Sequence, residues 1–506
     1  MRGCLVGMKT VLGIDLGTQS IKLVFYDFET KEVVASSSAD LEVHRDDSGT
    51  AEQNVDDWLS ALESCFSNVP QPIKTSLVAI GVSGQQHGFV ALDAHDRPLY
   101  SVKLWCDTAT QAEVDEITDN FGGRARLIEV AGNPLLTGYT APKIVWLRKN
   151  YPSAYERLTH ILLPHDYLNF VLTGEKVMER GDASGTGMLN VREREWSKEV
   201  LCAMDSERDL SACLPKLVSP DQFIGATTSR AAEDYGIPRG VPVSCGGGDN
   251  MMGAIGTGNV VPGVLTMSLG TSGCLYAYSD TPIVDPKGNI AAFCSSTGGW
   301  LPLVCTMNCT LSTELMRAPL GVDLSEFENV VSAAKPGCDG VISLPFFSGE
   351  RTPNIPNARG SILGLTAENC NTANLLRAQM ESSIYALKFG LDEMISIGVE
   401  ANEIILTGGG SNSAVWRQIV SDICQLEVAV LDQGEGAAFG AALQSLWVLF
   451  RTLGQDVSIA DITTEHLTKD LSSHTKPDES CRKIYNESYL YYKKAIHHIS
   501  PFYSSI

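Results

Sequence analysis

The sequence lacks the features of a membrane-spanning or secreted chain. No apolar run of about 18 residues, the length that can cross a bilayer, occurs in it. Residues 1–8 carry one early cation and no long apolar stretch, so they do not predict a signal peptide, and the functional start is either Met1 or Met8. We therefore expect a chain that neither enters nor crosses a membrane.

The sequence also lacks the cysteine spacing of a zinc site or a disulfide framework. Its 14 cysteines include no Cys-x-x-Cys pair, and Cys305 and Cys309, the closest two, have no second close pair beside them. A chain of 506 residues does not need disulfides to fold. We expect reduced, mostly buried thiols and a cytoplasmic protein.

Cations are scarce. The chain has 38 Lys and Arg against 60 Asp and Glu, which gives a formal net charge of −22. Nucleic acid binding needs clustered cations that release counterions, so this balance argues against a nucleic acid partner. It does not argue against ATP, because local loops and Mg²⁺ can override the mean charge of a surface.

The chain has neither a Walker A loop nor the dinucleotide-binding glycine fingerprint. Its length is too great for one compact core and predicts two large domains. Hydrophobic residues make up 44% and charged residues 19%, an ordinary globular balance that can bury two cores. The chemistry must therefore be sought in other glycine-containing turns.

The first half reads as three strands, a helix and a further strand. Apolar and alternating patterns predict strands over residues 11–14, 21–26, 33–35 and 77–82. Trp58, Leu59, Leu62 and Phe66 recur at helical spacing within residues 56–66. Polar residues follow the strand ends at 15 and 83, where α/β folds place their ligands.

The second half repeats the pattern. Strands are predicted over residues 264–269, 403–407 and 428–431, and a long helix over residues 371–396. Ser413 is the predicted cap of the next helix, and small residues at 434–442 open another. Residues 453–480 are polar, and 484–496 predict a closing helix. Two α/β halves with glycine turns at strand ends predict a ligand cleft between them.

Two short turns are candidate phosphate loops. Glycine allows backbone N–H groups to approach a phosphate, and neighbouring hydroxyls can add hydrogen bonds. Asp15, just before the first turn, is placed to hold Mg²⁺ through water. Taken alone, each turn could equally be a tight hairpin. The loop residues are Gly17, Thr18, Gln19 and Ser20 in the first turn, and Gly270, Thr271, Ser272 and Gly273 in the second.

The run at residues 246–250, three glycines followed by Asp249 and Asn250, is a candidate catalytic turn. A carboxylate on such a backbone-thin turn is open to substrate, and phosphoryl transfer to an alcohol needs an acceptor for the hydroxyl proton. The alternative is that Asp249 only caps a helix over residues 251–255.

Two further sets complete the predicted site. Gly408, Gly409 and Gly410 with Asn412 suit an adenosine lying against the backbone, although the same run could be a plain loop before a helix. Aromatic and hydrogen-bonding residues from strand ends of the first half form a predicted polyol pocket, or else ordinary packing. They are Gln86, His87, Trp105 and Asp107.

These motifs together resemble the FGGY family of carbohydrate kinases, over about residues 11–446. Residues 138–147 are similar to the family's first signature and residues 360–381 to its second, where Gln379 stands in place of a small or aliphatic residue. The resemblance implies an α/β, two-domain actin-like ATPase fold, a duplicated ribonuclease H-like fold, with the active site in the interdomain cleft. We expect an N-terminal domain at 1–244, a nucleotide-binding domain at 245–450, and a C-terminal segment with a closing helix at 451–506.

Within the family, the chain is most similar to the branch that phosphorylates D-xylulose. Residues 84–88, 163–168, 182–186, 246–250, 268–273 and 348–353 carry this likeness. Glycerol kinases differ at the first of these segments, where an Asn-Gln-Arg-Glu run is expected. The branch usually has Trp-Asn-Asp-x-Arg where this chain has Trp105, Cys106, Asp107, Thr108 and Ala109.

The resemblance implies a role for each candidate residue. Asp249 is the expected catalytic base, and Asp15 the expected organiser of Mg²⁺. The remaining expected roles are sugar binding by His87, Trp105, Asp107 and Asn250, phosphate contacts by Thr18, Thr271 and Ser272, and adenosine binding by Gly409, Gly410 and Asn412.

The expected reaction is in-line transfer of the γ-phosphoryl group of MgATP to D-xylulose, giving D-xylulose 5-phosphate. A homodimer is possible, since dimers are common in the family. Three alternatives stay open: a kinase for ribulose, sedoheptulose, glycerol or another polyol, a non-catalytic nucleotide-binding protein of the actin or heat-shock chaperone type, and a phosphatase acting on phosphorylated anhydrides.

Overall fold

The structure is a computed structural model that describes residues 7–432 and 436–503. Met1, one of the two candidate starts, and Gly434 and Glu435, at the predicted helix opening, lie outside the described residues.

The first half contains both strands and helices, each numbered in chain order. Its strands are β1 (Thr10–Leu16), β2 (Ser20–Asp27), β3 (Glu32–Asp40), β4 (His44–Arg45), β5 (Ala51–Gln53), β6 (Leu77–Gly84), β7 (Val90–Leu92), β8 (Val102–Lys103), β9 (His160–Leu162), β10 (Val177–Glu179), β11 (Leu189–Asn190), β12 (Glu195–Trp196), β13 (Lys216–Val218), β14 (Phe223–Ala226), β15 (Pro242–Ser244) and β16 (Gly247–Gly248). Its helices are α1 (Val55–Ser67), α2 (Gln71–Lys74), α3 (Gln111–Phe121), α4 (Arg124–Ala131), α5 (Thr140–Asn150), α6 (Pro152–Arg157), α7 (Pro164–Thr173), α8 (Arg180–Ser184), α9 (Lys198–Met204), α10 (Ser229–Tyr235) and α11 (Asp249–Gly256).

The second half continues the numbering. Its strands are β17 (Gly263–Leu269), β18 (Gly273–Ala277), β19 (Leu303–Thr306), β20 (Ile342–Leu344), β21 (Ser361–Leu363), β22 (Ala401–Thr407) and β23 (Glu427–Ala429). Its helices are α12 (Thr310–Arg317), α13 (Leu324–Ser332), α14 (Thr372–Ser396), α15 (Ala414–Cys424), α16 (Gly436–Thr452), α17 (Ile459–His466) and α18 (Arg482–Tyr503). Short 3₁₀ turns occupy Leu210–Cys213, Cys338–Gly340 and Gly409–Asn412.

The two main sheets have the same topology. The first runs β3-β2-β1-β6-β15, with β14 beyond β15 and β16 also paired to β6, and the second runs β19-β18-β17-β22-β23. In each sheet the first two pairings are antiparallel and the next two are parallel. This repeat confirms the predicted duplicated α/β fold.

Most predicted elements are confirmed, with longer ends. The predicted strands over 11–14 and 77–82 extend to Thr10–Leu16 and Leu77–Gly84, and the closing helix extends to Arg482–Tyr503. Ser413 does cap α15, because its side chain accepts a hydrogen bond from the Trp416 N–H. The polar stretch after α16 contains a helix that its composition did not predict, α17, which begins with a capping box at Ser458.

The helices α11 and α16 lie between the two sheets and pack on each other. Glycines permit this close approach: a Cβ on Gly440 would lie 1.8 Å from the Met252 carbonyl oxygen, and one on Gly13 would lie 1.7 Å from that of Ala438. Gln444 of α16 accepts hydrogen bonds from Ser244 (3.0 Å) and from the Gly246 N–H (2.9 Å). The predicted domain boundary between residues 244 and 245 stays a prediction. The helix that follows it, α11, packs on α16 between the two sheets.

Candidate active site

A cavity of about 470 Å³ lies between the halves, where the main strands end. Seven of the predicted site residues line it, and they come from both halves of the chain. They are Thr18, Gln86, His87, Trp105, Asp249, Asn250 and Ser272. The strand ends of two duplicated sheets therefore converge on one site, as the sequence predicted.

Asp249 is the first residue of α11 and lines this cavity. The N-cap of the helix is Gly248, so the alternative that Asp249 serves as the cap is wrong. Its Oδ1 accepts hydrogen bonds from the Asn250 backbone N–H (2.7 Å) and side-chain amide (3.1 Å). Burial, and then the negative charge of Asp15, raise the pKa of Asp249 to about 8. A carboxylate whose pKa lies near neutrality is suited to accept a proton.

Gln86 and His87 follow β6 and face the same space. The Asn250 amide donates to Gln86 Oε1 at 2.9 Å, which leaves the buried Gln86 Nε2 without a partner. The His87 ring lies beside Tyr139 (4.9 Å between ring centroids) and Phe293 (5.8 Å), and its buried Nδ1 lies beside Gly185. Burial, and then the charge of Lys143, lower the pKa of His87 to about 3, so the ring is neutral. Buried polar atoms without partners, beside aromatic rings, are suited to a polyol.

Thr18 joins the first phosphate loop to the sugar side of the cavity. Its hydroxyl donates to Gln85 Oε1 (3.0 Å) and accepts from the Trp105 indole N–H (2.9 Å). The turn itself is closed by a hydrogen bond from the Gly17 N–H to the Ser20 carbonyl (2.9 Å), and Gln19 at its tip is exposed. One hydrogen-bond network therefore joins the first phosphate loop to Trp105, which lines the cavity.

Asp107 lies behind the cavity wall and does not line it. It is fully buried, and its carboxylate accepts from Lys103 Nζ (2.9 Å) and from the backbone N–H groups of Ala51 (2.9 Å) and Ala109 (3.0 Å). The neighbouring Cys106 is 3.4 Å from the Arg45 guanidinium, on the outer edge of the same segment. The sequence departure at residues 106–109 therefore lies outside the cavity lining.

The second phosphate loop is tied to the start of α12. The N–H groups of Cys309 and Thr310 donate to the Thr271 and Gly270 carbonyls, both at 3.0 Å. Ser272 lines the cavity, whereas Thr271 is exposed and Gly270 does not line it. The loop is thus fixed at its base and open at its tip.

The triglycine turn after β22 packs against the end of β17. A Cβ on Gly408 or Gly410 would lie 2.8 Å from Leu269, whereas one on Gly409 would meet nothing within 4 Å. Thr407 lines the cavity, but Gly409, Gly410 and the exposed Asn412 lie outside its lining. The turn leads directly into α15, so it is also the loop before a helix that the alternative described.

Asp15 lies one residue before the end of β1 and has an enclosed carboxylate oxygen. Its Oδ1 is enclosed and has no hydrogen-bond partner, and burial raises its pKa. No group of three or more potential metal-ligating side chains occurs within residues 7–432 and 436–503. A cation here would need waters or a ligand's oxygens to complete its coordination, which is the usual pattern for Mg²⁺.

Several functional candidates escaped the sequence analysis. Lys143 is fully buried, and its Nζ donates to the carbonyls of His87 (2.8 Å) and Gly138 (2.7 Å). Arg351 lines the cavity from a segment that carried the family likeness without an assigned role. Tyr139, Phe293, Cys274 and Cys305 also line it. A motif search could have found Lys143 and Arg351, but not side chains that only tertiary packing brings to the cavity.

No helix in the described part of the chain is long and apolar enough to cross a membrane.

Gln379, the departure in the second signature, is buried in α14, where its Oε1 accepts a hydrogen bond from the Ser343 hydroxyl at 2.8 Å. Gln379 therefore contributes to the packing of α14 against β20 and does not line the cavity.

Two lobes of one topology, with a carboxylate and glycine turns at the cleft between them, define the actin-like class of phosphotransferases. Models of the FGGY family of carbohydrate kinases match residues 10–256 with the N-terminal domain and residues 265–449 with the C-terminal domain. The chain belongs to the FGGY family of carbohydrate kinases, and its substrates are a sugar and ATP.

Individual relatives agree. The chain is 42% identical to a xylulose kinase of Haemophilus influenzae over 97% of this chain and 100% of the relative. It is 35% identical to a xylulose kinase of Streptomyces coelicolor, over 87% and 88% of the two chains. The crystal structure of a xyloylose kinase from Brucella ovis superposes with a TM-score of 0.88 at 30% identity, covering 97% of this chain and 100% of that one.

Proposed function

We propose that the chain phosphorylates D-xylulose with ATP, giving D-xylulose 5-phosphate and ADP, and that Asp249 is the catalytic base. The substrate is proposed from the relatives at 42% and 35% identity, which are xylulose kinases. The observation that carries the mechanism is that Asp249 lines the cavity and has a pKa raised to about 8.

The proposed step is a direct in-line transfer. Asp249 accepts the proton of the terminal sugar hydroxyl while that oxygen forms a bond to the γ-phosphorus, and the bond to the β-phosphate oxygen breaks to release ADP. Asn250 holds the carboxylate in place through its two hydrogen bonds to Oδ1. No covalent enzyme intermediate is needed.

The sugar lies, in this proposal, against the first half of the chain. Gln86 Nε2 is unpartnered and can bond to a sugar hydroxyl, and Asn250 bridges to Gln86. The His87 ring lines the same part of the cavity. Trp105 forms one wall of the cavity. Asp107 supports that wall from behind through Lys103 and the Ala51 backbone, rather than by touching the sugar.

The nucleotide lies against the two loops and the triglycine turn. Backbone N–H groups in the glycine-containing loops, with the Ser272 hydroxyl, are proposed to contact the phosphates. The adenosine is proposed to lie over Gly409, where the backbone is open. The proposed nucleotide contacts are Gly17, Thr18, Gln19, Ser20, Gly270, Thr271, Ser272, Gly409, Gly410 and Asn412.

Mg²⁺ is proposed at Asp15, whose unpartnered buried Oδ1 fits a hydrated cation. When bound, the ion supplies positive charge that neutralises the phosphates during transfer. Asp15→Asn should raise the Mg²⁺ concentration needed for half-maximal activity, whereas Asp57→Asn, at an exposed site in α1, should leave it unchanged. An unaltered Mg²⁺ requirement in Asp15→Asn would remove Asp15 from the site.

The test is an ADP-release assay on purified protein with Mg²⁺ and D-xylulose, D-ribulose, L-ribulose, sedoheptulose or glycerol. D-Xylulose should give the highest kcat/KM. Asp249→Asn should lose about 10²–10⁴-fold in kcat, the usual contribution of a general base. Asp56→Asn, at an exposed site in α1, is the matched control. Preference for another sugar would overturn the substrate, and an active Asp249→Asn would overturn the base.

A further inference from the structure

Two cysteines face each other in the wall of the active cavity. Cys274 on β18 and Cys305 on β19 are directly opposite in the antiparallel register. Their Sγ atoms are 3.0 Å apart. Both side chains are half-buried and line the cavity, so small reagents that enter the cavity can reach them.

We propose that Cys274 and Cys305 are a redox-active dithiol, which peroxide converts to a disulfide that reversibly inhibits the kinase. The inhibition rests on the function proposed above, but formation of the disulfide does not. Opposite residues of an antiparallel pair have Cα atoms about 4.5–5.5 Å apart, within the range of about 4.4–6.8 Å found in disulfides. The sulfurs need to approach by only about 1 Å to reach the bonded distance of about 2.05 Å.

The surroundings give the two thiols different roles. The hydrogen bond with Cys274, and then the Arg351 guanidinium, lower the pKa of the Cys305 thiol. The same hydrogen bond, together with burial, raises the pKa of Cys274. Cys305 is therefore the thiolate that reacts first, and Cys274 is the thiol that resolves the product.

The reaction consumes one hydrogen peroxide. The Cys305 thiolate attacks one peroxide oxygen and the O–O bond breaks. Hydroxide leaves and takes up one proton to become water, and Cys305 remains as a sulfenic acid. The Cys274 sulfur then attacks the Cys305 sulfur and displaces its hydroxyl, which leaves as water with the thiol proton. Two thiols and one peroxide thus give one disulfide and two waters.

The position of the pair explains why the bond would inhibit. Cys274 directly follows Gly273, the last residue of the second phosphate loop, and Gly273 is held to β19 by a hydrogen bond from its N–H to the Thr306 hydroxyl (3.2 Å). The Cys305 carbonyl accepts from Thr352, beside Arg351 (2.9 Å). Bond formation brings the two side chains about 1 Å closer beside the base of this loop, and shifts of about 1 Å in an active site can cost about 10²-fold in rate.

The experiment measures formation of the disulfide separately from the loss of kinase activity. The full chain is treated with hydrogen peroxide, the remaining thiols are blocked, and a protease digest without reductant is analysed by mass spectrometry. We expect a linked peptide containing Cys274 and Cys305, together with a loss of about tenfold or more in kcat/KM for D-xylulose that dithiothreitol restores. Bound ATP and sugar should slow the linkage. Cys202→Ser and Cys370→Ser, at exposed sites, are the matched controls and should behave like the unaltered chain.

The variants Cys274→Ser and Cys305→Ser complete the test. Each should be unable to form the linkage, and each should keep its own starting activity through a peroxide treatment that inhibits the unaltered chain. Absence of the linked peptide in the unaltered chain would overturn the proposal, whatever the enzyme activity. Equal, irreversible inhibition of the unaltered chain and both serine variants would overturn the inhibitory role. A linked peptide in a chain that phosphorylates no sugar would leave the dithiol standing and overturn the proposed function.

Discussion

Lys143 holds His87 by its backbone: the side-chain Nζ lies 2.8 Å from the His87 carbonyl oxygen. His87 has a φ of 66°, a left-handed conformation that is uncommon for a residue with a side chain. The Thr140 hydroxyl donates to the same carbonyl at 3.1 Å. The first turns of α5 thus fix the backbone that directs the His87 ring into the cavity, and Lys143 is a positioning residue.

Replacement of Lys143 by Met should therefore weaken sugar binding more than it slows transfer. The change leaves two buried carbonyls without their donor, at a cost of about 1–3 kcal/mol in the free energy of unfolding. We expect KM for D-xylulose to rise about tenfold, with a smaller change in kcat and little change in KM for ATP. Lys149→Met, in the last turn of the same helix, is the control. A fall of about tenfold in kcat, with both KM values unchanged, would contradict a positioning role.

The pKa of Asp249 should be visible in the pH–rate profile. The base acts when deprotonated, so kcat/KM measured with both substrates below their KM should rise with pH and level off above about 8. Asp15 is the second cause of the raised pKa, after burial, so Asp15→Asn should move the rising limb to lower pH. His87, with its pKa lowered to about 3, should add no limb near neutrality. A limb that does not move in Asp15→Asn would contradict the coupling of the two carboxylates.

The raised pKa of Asp249 should also make the stability of the folded chain depend on pH. An ordinary Asp carboxyl, as in the unfolded chain, has a pKa of 3.8, whereas the pKa of Asp249 in the folded chain is about 8. Between these two pH values the folded state therefore binds more protons than the unfolded state. Stability therefore falls as pH rises through this window. Asp249→Asn removes the ionisable group, and should raise Tm relative to the unaltered chain at pH 8 but not at pH 4. The measurement is a pair of thermal unfolding series, with Asp56→Asn as the control. A difference in Tm between Asp249→Asn and the unaltered chain that stays constant from pH 4 to pH 8 would contradict the raised pKa.

Local patterns predicted the fold better than they predicted the site. The strands at the cleft have continuous apolar runs that end in glycine turns, and such signals depend only on neighbouring residues. Asp107 shows the limit: its motif suggested a sugar ligand, yet three hydrogen-bond donors from Lys103, Ala51 and Ala109 occupy its carboxylate. Phe293 reaches His87 only through tertiary packing, and no local pattern could predict it.

Gly409 offers a clean test of the adenosine position. A Cβ at this residue meets nothing within 4 Å, so Gly409→Ala should leave Tm nearly unchanged. If the adenosine lies over this backbone, the added methyl group should raise KM for ATP about tenfold, as expected for an overpacking cost of about 1–3 kcal/mol. KM for the sugar should not change. An unchanged KM for ATP would place the nucleotide elsewhere.

Gly440 should be intolerant of any side chain, because α16 carries the contact between the halves. Its Cβ would lie 1.8 Å from the Met252 carbonyl oxygen of α11, a backbone atom that cannot rotate away. Gly440→Ala must therefore separate the two helices, and since α11 begins with Asp249, the base moves with them. We expect a loss of about 3 kcal/mol or more in the free energy of unfolding, and a fall in kcat even below the unfolding transition.

Gly454→Ala is the matched control for that change. Gly454 follows the same helix with a φ of 83° and no atom within 4 Å of the added carbon, so its substitution costs only backbone strain, about 1 kcal/mol. Denaturant unfolding and kcat, measured on both variants at a temperature where each is folded, separate the two effects. If Gly440→Ala is no less stable than Gly454→Ala, the helices can part without cost. The glycine contact would then not be what holds Asp249 against the cavity.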